Sequence, residues 1–151
     1  MNFKFYNYIN RKPKRVLILG NSGIVAGNLY EFLKKKKINV QSIGRSKLDL
    51  KKINASKLLA KKIKKDDVIV FIAAEAPVKN IKMFINNIKI CENVSTTLEK
   101  KNIKHLIYIS SDAVYSDLKG KISEKSITSP DSLHGLMHRT RESILINKFN
   151  K

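Results

Sequence analysis

The sequence predicts an α/β protein of the Rossmann type, a doubly wound parallel sheet of about five strands with helices on both faces. Three observations carry this expectation. Apolar runs of strand length alternate with helix-period segments from residue 15 to the end of the chain. A glycine-containing turn, "LGNSGIVAG", joins the first of these runs to the first helical segment. No low-complexity linker and no solenoid-period repeat divides the 151 residues, enough for one domain with its own core.

Residues 1–14 are a basic, aromatic-spotted lead-in ending at Pro13–Lys14, read either as an arm or as a short extra strand. The domain proper occupies residues 15–151. "RVLILG" is an apolar run that ends in glycine. In "NSGIVAGNLYEFLKKKK" the residues Ile24, Val25, Leu29, Phe32 and Leu33 fit one helical face. "INVQSIG" is a second strand and "SKLDL" a candidate short third one. "NASKLLAKKIKK" opens at Asn54, an N-cap residue type, and reads as an amphipathic helix. In "DDVIVFIAA", Val68 to Ile72 are uninterruptedly apolar, the pattern of a strand covered on both faces. From Lys79 to Lys101 a long helix carries Ile81, Phe84, Ile85, Ile88, Cys91, Val94 and Leu98 as a stripe. "IKHLIYISS" is a further buried strand. A polar loop then leads to a last helix from Asp131 to Lys148.

The formal net charge is +19, which raises the question of a nucleic-acid or anionic partner. The cations are mostly lysines spread over several segments, with few aromatics interleaved and abundant isoleucine and asparagine. That pattern reads as solvated helix ends and loops in a compositionally biased chain, so no specific nucleic-acid partner is expected. Non-specific adhesion to polyanions at low salt is expected. No run of about 18 apolar residues exists to span a membrane. The start lacks the apolar core of a signal peptide, and the single cysteine, Cys91, has no internal disulfide partner. A cytoplasmic location is therefore expected.

The glycine turn is suited to phosphate. Gly20 permits a tight turn and Gly23 a close backbone approach, while Ile24 and Val25 open a helix whose free N–H groups attract anions. Ala26, with Gly27 beside it, supplies the small position that close helix–strand packing needs. A plain tight turn is the bland alternative, but the strand–turn–helix context favours a dinucleotide. The end of the second strand reads "IGRS", with Arg45 where an NAD site would carry a carboxylate. Arginine suits a 2′-phosphate, so NADP is favoured over NAD.

His134 and His138 lie four apart in the last helix, the spacing of a zinc pair. Gly135, Leu136 and Met137 between them include no glutamate to complete H-E-x-x-H. His105 opens a different strand, and Cys91 belongs to an apolar stripe, as a small core residue would. No metal site is expected.

The ordered set G-x-x-G-x-x-A, "LDL", "FIAA", "NIKICENV", "YISSDAVY" and "SPDSLHGLMHRTRE" resembles the extended short-chain dehydrogenase/reductase family over about residues 15–148. That family includes NAD(P)-dependent sugar-nucleotide epimerases, dehydratases and reductases. The resemblance implies NADP or NAD as cofactor and a nucleotide sugar or similar hydroxyl compound as substrate. It implies that Gly20, Ser22, Gly23, Ile24 and Val25 line the pyrophosphate, and that Asp49 and Leu50 flank the adenine. Ala73 and Ala74 would pass under a ribose, and Asn87 would support the site. Ser110 and Ser111 would end the last strand, with Ser111 the catalytic hydroxyl that bonds the substrate's reacting oxygen.

Two departures stand out against the resemblance. The family helix carries a tyrosine as general acid/base and, four residues on, a lysine that binds the nicotinamide ribose and lowers the tyrosine's pKa. This chain has His134 and His138 at those positions. Imidazole is shorter than phenol, and a neutral His138 supplies no fixed charge, so hydride-transfer activity is expected to be strongly impaired. The alternative is a non-catalytic dinucleotide-binding fragment or scaffold that needs a partner chain. The second departure is length. The family continues past this helix with more strands and a substrate lobe, so the chain reads as a fragment, one half of a split pair or a decayed copy. Its last strand is then left as a sheet edge. By resemblance, a homodimer would form through the two long helices.

Overall fold

The computed structural model describes residues 12–116 and 121–149; most of the lead-in read in residues 1–14 lies outside the described residues. The elements are β1 (Val16–Leu19), α1 (Ile24–Lys35), β2 (Val40–Ile43), α2 (Ala55–Ala60), β3 (Val68–Phe71), α3 (Ile81–Glu99), β4 (His105–Tyr108), a 3₁₀ turn (Asp112–Val114) and α4 (Leu133–Phe149). The four strands form one parallel sheet in the order β2-β1-β3-β4. Val16 lies level with Val40 and Val68, and Phe71 with Tyr108.

The sheet is doubly wound, as expected, with four strands among the described residues. The candidate strand "SKLDL" is a series of turns instead. Its alternate leucines, Leu48 and Leu50, are buried, but they plug the core beside Ile43 and Leu59 rather than joining the ladder. Alternation of apolar residues reported burial there, not pairing.

β1 is buried along its whole length, and its two faces feed two clusters. Leu17 and Leu19, with Ile69 and Phe71 of β3, pack against Leu59 of α2, Ile90, Cys91, Val94 and Leu98 of α3, and Leu145 of α4. Val16 and Ile18, with Val70, pack against Ala26, Leu29, Tyr30 and Leu33 of α1. Phe32 departs from the expected apolar face of α1. It is more than half exposed, with the Lys36 ammonium 5.7 Å from its ring.

The helix starts follow local capping. Asn80 accepts from the Met83 amide (3.0 Å) and so begins α3 two residues inside the expected boundary. The Ser132 hydroxyl accepts from the Gly135 amide (3.1 Å), starting α4 at Leu133 rather than at Asp131. Asn54 stands before α2, yet its side chain makes no capping bond, and this helix stops at Ala60.

At the N-terminal end of the sheet, Arg15 is buried against Asp67 through two bonds, Nε to Oδ1 (2.8 Å) and Nη2 to Oδ2. The guanidinium also donates to Gln41 Oε1 (2.9 Å) and to the Lys62 carbonyl (2.8 Å), while Asp67 accepts from the Lys64 amide (2.8 Å). Removing one partner of a buried pair strands the other charge. Asp67→Ala is expected to cost about 3–5 kcal/mol, read as a lowered midpoint in urea unfolding. Asp66→Asn, at the neighbouring exposed pair with Lys14, should leave the midpoint almost unchanged.

Candidate dinucleotide cleft

The strand order reverses between β1, whose chain goes on to β2, and β3 on its other side. A crevice opens at such a switch point, beyond the carboxyl ends of the strands. Here it measures about 430 Å3. Its wall is the loop after β1 and the start of α1, the stretch after β2, and the loop after β3.

The loop folds as it does because of its glycines. Gly20 has φ 109° and Gly23 φ 105°, values that favour glycine. At Gly20 a Cβ would also come within 2.9 Å of the Ala73 amide nitrogen, so the close approach of the turn after β1 to the residues just after β3 requires its absence. Gly23 has open space around it and stands at the N-terminus of α1. That terminus has no side-chain cap and no acidic residue in its first turn, which leaves its amides and dipole free for an anion. Of the two small residues that follow, Ala26 is the one buried against the sheet. Gly27 faces open space.

The cleft brings together Gly20, Ser22, Gly23, Ile24, Val25, Arg45, Asp49, Leu50, Ala73 and Ala74, ten of the residues singled out in the sequence. Ile24 and Val25 are exposed apolar residues at its mouth. Ser110 is placed elsewhere: its hydroxyl donates to Glu142 Oε1 on α4 (2.5 Å). Ser111 caps the 3₁₀ turn, accepting from the Ala113 amide (3.2 Å), and donates to Asp112 (3.1 Å). Gly135 lies so close to Ala113 that a Cβ would meet its carbonyl oxygen at 1.9 Å, so the turn bearing Ser111 is seated on the first turn of α4.

His134 and His138 stand edge to face, with ring centroids 4.8 Å apart. Each has other partners. His138 Nδ1 is 2.6 Å from the Tyr108 hydroxyl, and His134 Nδ1 accepts from the Val78 amide at 3.4 Å. His105 is exposed on β4 and Cys91 lies in the core. Burial, the neighbouring His134 and the Arg141 guanidinium together push His138 down to about 4. Burial also pushes the Tyr108 phenol up, so both groups of this hydrogen bond are neutral near pH 7.

Four residues of this region escaped the sequence reading. Glu75 accepts from Lys51 Nζ (2.6 Å), Arg45 (3.2 Å) and Asn86 (2.9 Å), and its backbone is held on both sides by Asn87. Tyr108 faces His138, and Glu142 takes Ser110 and Arg139. Arg141 is fully buried, with its guanidinium 4.3 Å from the Phe71 ring, 5.0 Å from Tyr108, and bonded to the Ala73 carbonyl (2.9 Å). The spacing of His134, His138, Arg141 and Leu145 was the available signal that Arg141 shares the inward face of α4.

A family sequence model described as the RmlD substrate binding domain matches residues 14–151. The chain belongs to that family. Solved structures of similar fold include a UDP-N-acetylglucosamine 4-epimerase from Bacillus cereus (TM-score 0.77, 20% identity), of which the match covers 49%, against 91% of this chain. A dTDP-4-dehydrorhamnose reductase from Clostridium acetobutylicum gives TM-score 0.77 at 21% identity, covering 91% of this chain and 50% of the other. A UDP-glucuronic acid 4-epimerase from Bacillus cereus, solved in complex with NAD, gives 0.74 at 20% identity, with 91% and 53% covered. The chain thus spans about half the length of these structures. Comparison with curated proteins gives no match. Among the described residues, no helix is long and apolar enough to cross a membrane.

The His138 shift has a pH consequence. The unfolded chain takes up this proton near 6.5 and the folded chain near 4, so the unfolded state binds more protons in between. Stability is expected to be fully present above 6.5, to fall as pH is lowered through this window, and to level off below about 4. His138→Gln should flatten that decline, and the imidazole resonances of His138 should show a neutral ring at pH 6.

Proposed function

We propose that this chain binds a nicotinamide dinucleotide, NAD or NADP, in the cleft at the β1–β3 switch point, on a scaffold of the nucleotide-sugar epimerase and reductase type. The observation that carries the reading is the cleft itself. A helix N-terminus free of side-chain caps meets a glycine turn with no room for a Cβ at Gly20, at the mouth of a crevice of suitable size. In this reading Ser22 and the backbone from Gly20 to Val25 hold the pyrophosphate. Asp49 and Leu50 flank the adenine, and Ala73 and Ala74 pass under a ribose. The bound dinucleotide would supply a hydride acceptor or donor.

The residues around it support weak chemistry at most. Ser111 offers a hydroxyl near the first turn of α4, but that hydroxyl already bonds its own turn. His134 places an imidazole on that turn, and its Nδ1 is taken by the Val78 amide. His138, neutral and bonded to Tyr108, cannot stand in for a lysine's fixed charge. A second reading, a dinucleotide-binding chain without turnover of its own, is favoured by this same neutral His138. In either reading the ligand beside the dinucleotide would be a nucleotide sugar or similar hydroxyl compound, and a homodimer or complementing chain would supply what the cleft lacks.

Titration with NADH, followed by its fluorescence at near-physiological salt, tests the dinucleotide reading. Saturable one-to-one binding is expected. Ser22→Asp, which sets a carboxylate among the amides meant for pyrophosphate, should weaken it by about tenfold or more without changing the circular dichroism. Binding equal in both proteins would refute the site. The chemistry is tested separately: His134→Tyr with His138→Lys is expected to raise dinucleotide turnover on a nucleotide 4-keto-sugar well above that of the original chain. Robust turnover by the original chain would overturn the impaired-activity reading.

A further inference from the structure

We propose that Glu75 decides which dinucleotide the cleft accepts: its carboxylate neutralises Arg45 and Lys51 and favours a free ribose over a 2′-phosphorylated one. The inference rests on the dinucleotide reading above and deepens it. Sequence alone points the other way, because Arg45 follows β2 where a carboxylate would mark NAD. The fold returns a carboxylate to that place from another loop.

Three elements converge on it. Arg45 and Lys51 come from the stretch after β2, Glu75 from the loop after β3, and Asn86 from α3. Glu75 Oε1 accepts from Lys51 (2.6 Å) and from Arg45 (3.2 Å), and Oε2 accepts from Asn86 (2.9 Å). The Glu75 side chain is only 12% exposed, whereas that of Arg45 is 63% exposed. Its backbone is clamped as well. The Glu75 amide donates to Asn87 Oδ1 (2.9 Å), and its carbonyl accepts from Asn87 Nδ2 (3.0 Å). Asn87 is itself fully buried and donates to the Met83 carbonyl (2.9 Å). A carboxylate held at both backbone and side chain is a fixed feature of this lip. The Lys51 ammonium, with Asn86 and Arg45, holds it ionised well below the usual carboxylate range.

The electrostatics follow. In a chain of net charge +19, the two cations here both pair with the one carboxylate of Glu75, while Asp49 on the same stretch accepts from the Lys51 backbone amide through Oδ1 (3.0 Å). A 2′-phosphate approaching Arg45 meets Glu75 on the same guanidinium and must compete with it. Ribose hydroxyls meet no such repulsion and can donate to a carboxylate, the arrangement by which NAD sites hold their ribose. Without the Glu75 charge, Arg45 and Lys51 become a pair of free cations suited to phosphate.

The test is parallel titration with NADH and NADPH at fixed ionic strength, for the original chain, Glu75→Gln, Arg45→Ala and the double variant. The original chain is expected to bind NADH at least as tightly as NADPH. Glu75→Gln should shift the preference toward NADPH by about tenfold, and Arg45→Ala in that background should remove most of the shift and leave only the part carried by Lys51. Arg45→Ala alone, at a side chain that is mostly exposed, should lower NADPH affinity by less than about threefold. A preference for NADPH in the original chain, or its collapse in Arg45→Ala alone, overturns the inference even if Glu75→Gln fails to fold. An unchanged ratio in a folded Glu75→Gln also overturns it while leaving the dinucleotide reading intact. Failure of the original chain to bind either dinucleotide overturns both.

Discussion

The pair between Arg15 and Asp67 lies at the end of the sheet farthest from the cleft, yet it sets the cleft's geometry. It joins the entry of β1 to the entry of β3, and through Gln41 it reaches β2. All strands run parallel, so whatever fixes their starts fixes their ends. Val16 therefore stands level with Val40 and Val68, and Leu19 with Ile43 and Phe71. Beyond those ends the Gly20 amide donates to the Ile43 carbonyl (2.8 Å) and the Ala73 amide to the Leu19 carbonyl (2.7 Å). A slip of one residue would turn Leu17 and Leu19 to the wrong face and part those bonds. A buried ion pair is weak evidence of stability against an apolar replacement, but this one has nearly every polar atom matched, and a matched network specifies one register.

At the other end, the orientation of α4 rests on a cation without a carboxylate. Among the described residues Arg141 makes no ion pair. It is held over the rings of Phe71 and Tyr108, by the Ala73 carbonyl and by a contact with Met137 Sδ (3.8 Å), and among the described residues its Nε has no partner. Ring faces and a carbonyl dipole replace an anion. This cation adds to what keeps the histidine one turn away neutral. Burial first, then the neighbouring His134, then the permanent cation inside the helix–sheet interface disfavour a charge on His138. The helix retains a buried positive charge, but on a residue bonded to the backbone just after β3. The position four residues after His134 stays neutral.

How much of this was legible in the sequence depended on whether an interaction is local. The phosphate turn was readable because its requirements, positive φ and absent Cβ, lie within one short stretch. The strands β1 and β3 were readable because burial on both faces leaves an unbroken apolar run. "SKLDL" misled because buried leucines at alternate positions look alike in a strand and in turns plugging a core. The site residues that were missed share one feature. Glu75, Tyr108, Arg141 and Glu142 each bond a partner 24 or more residues away in sequence. Arg45 shows the consequence most sharply, because a cation read alone as a phosphate ligand has its electrostatic meaning changed by a carboxylate 30 residues later.

Two kinds of charge therefore act in this molecule at different ranges. The lysine excess makes a broad positive field that draws any polyanion, and salt screens it beyond roughly 8 Å at physiological strength. Among the described residues the cleft lining carries Arg45 and Asp49 as its charged residues, and next to them Lys51 and Glu75 oppose each other. The field thus brings anions to the surface without choosing among them. Choice falls to what screening does not reach: the uncapped start of α1, the close crossing of Gly20 over Ala73, and a carboxylate fixed by Asn87. A ligand held by the field should be lost as salt rises, whereas one held by these contacts should remain, because their strength depends on directed hydrogen bonds and on exclusion of water rather than on net charge.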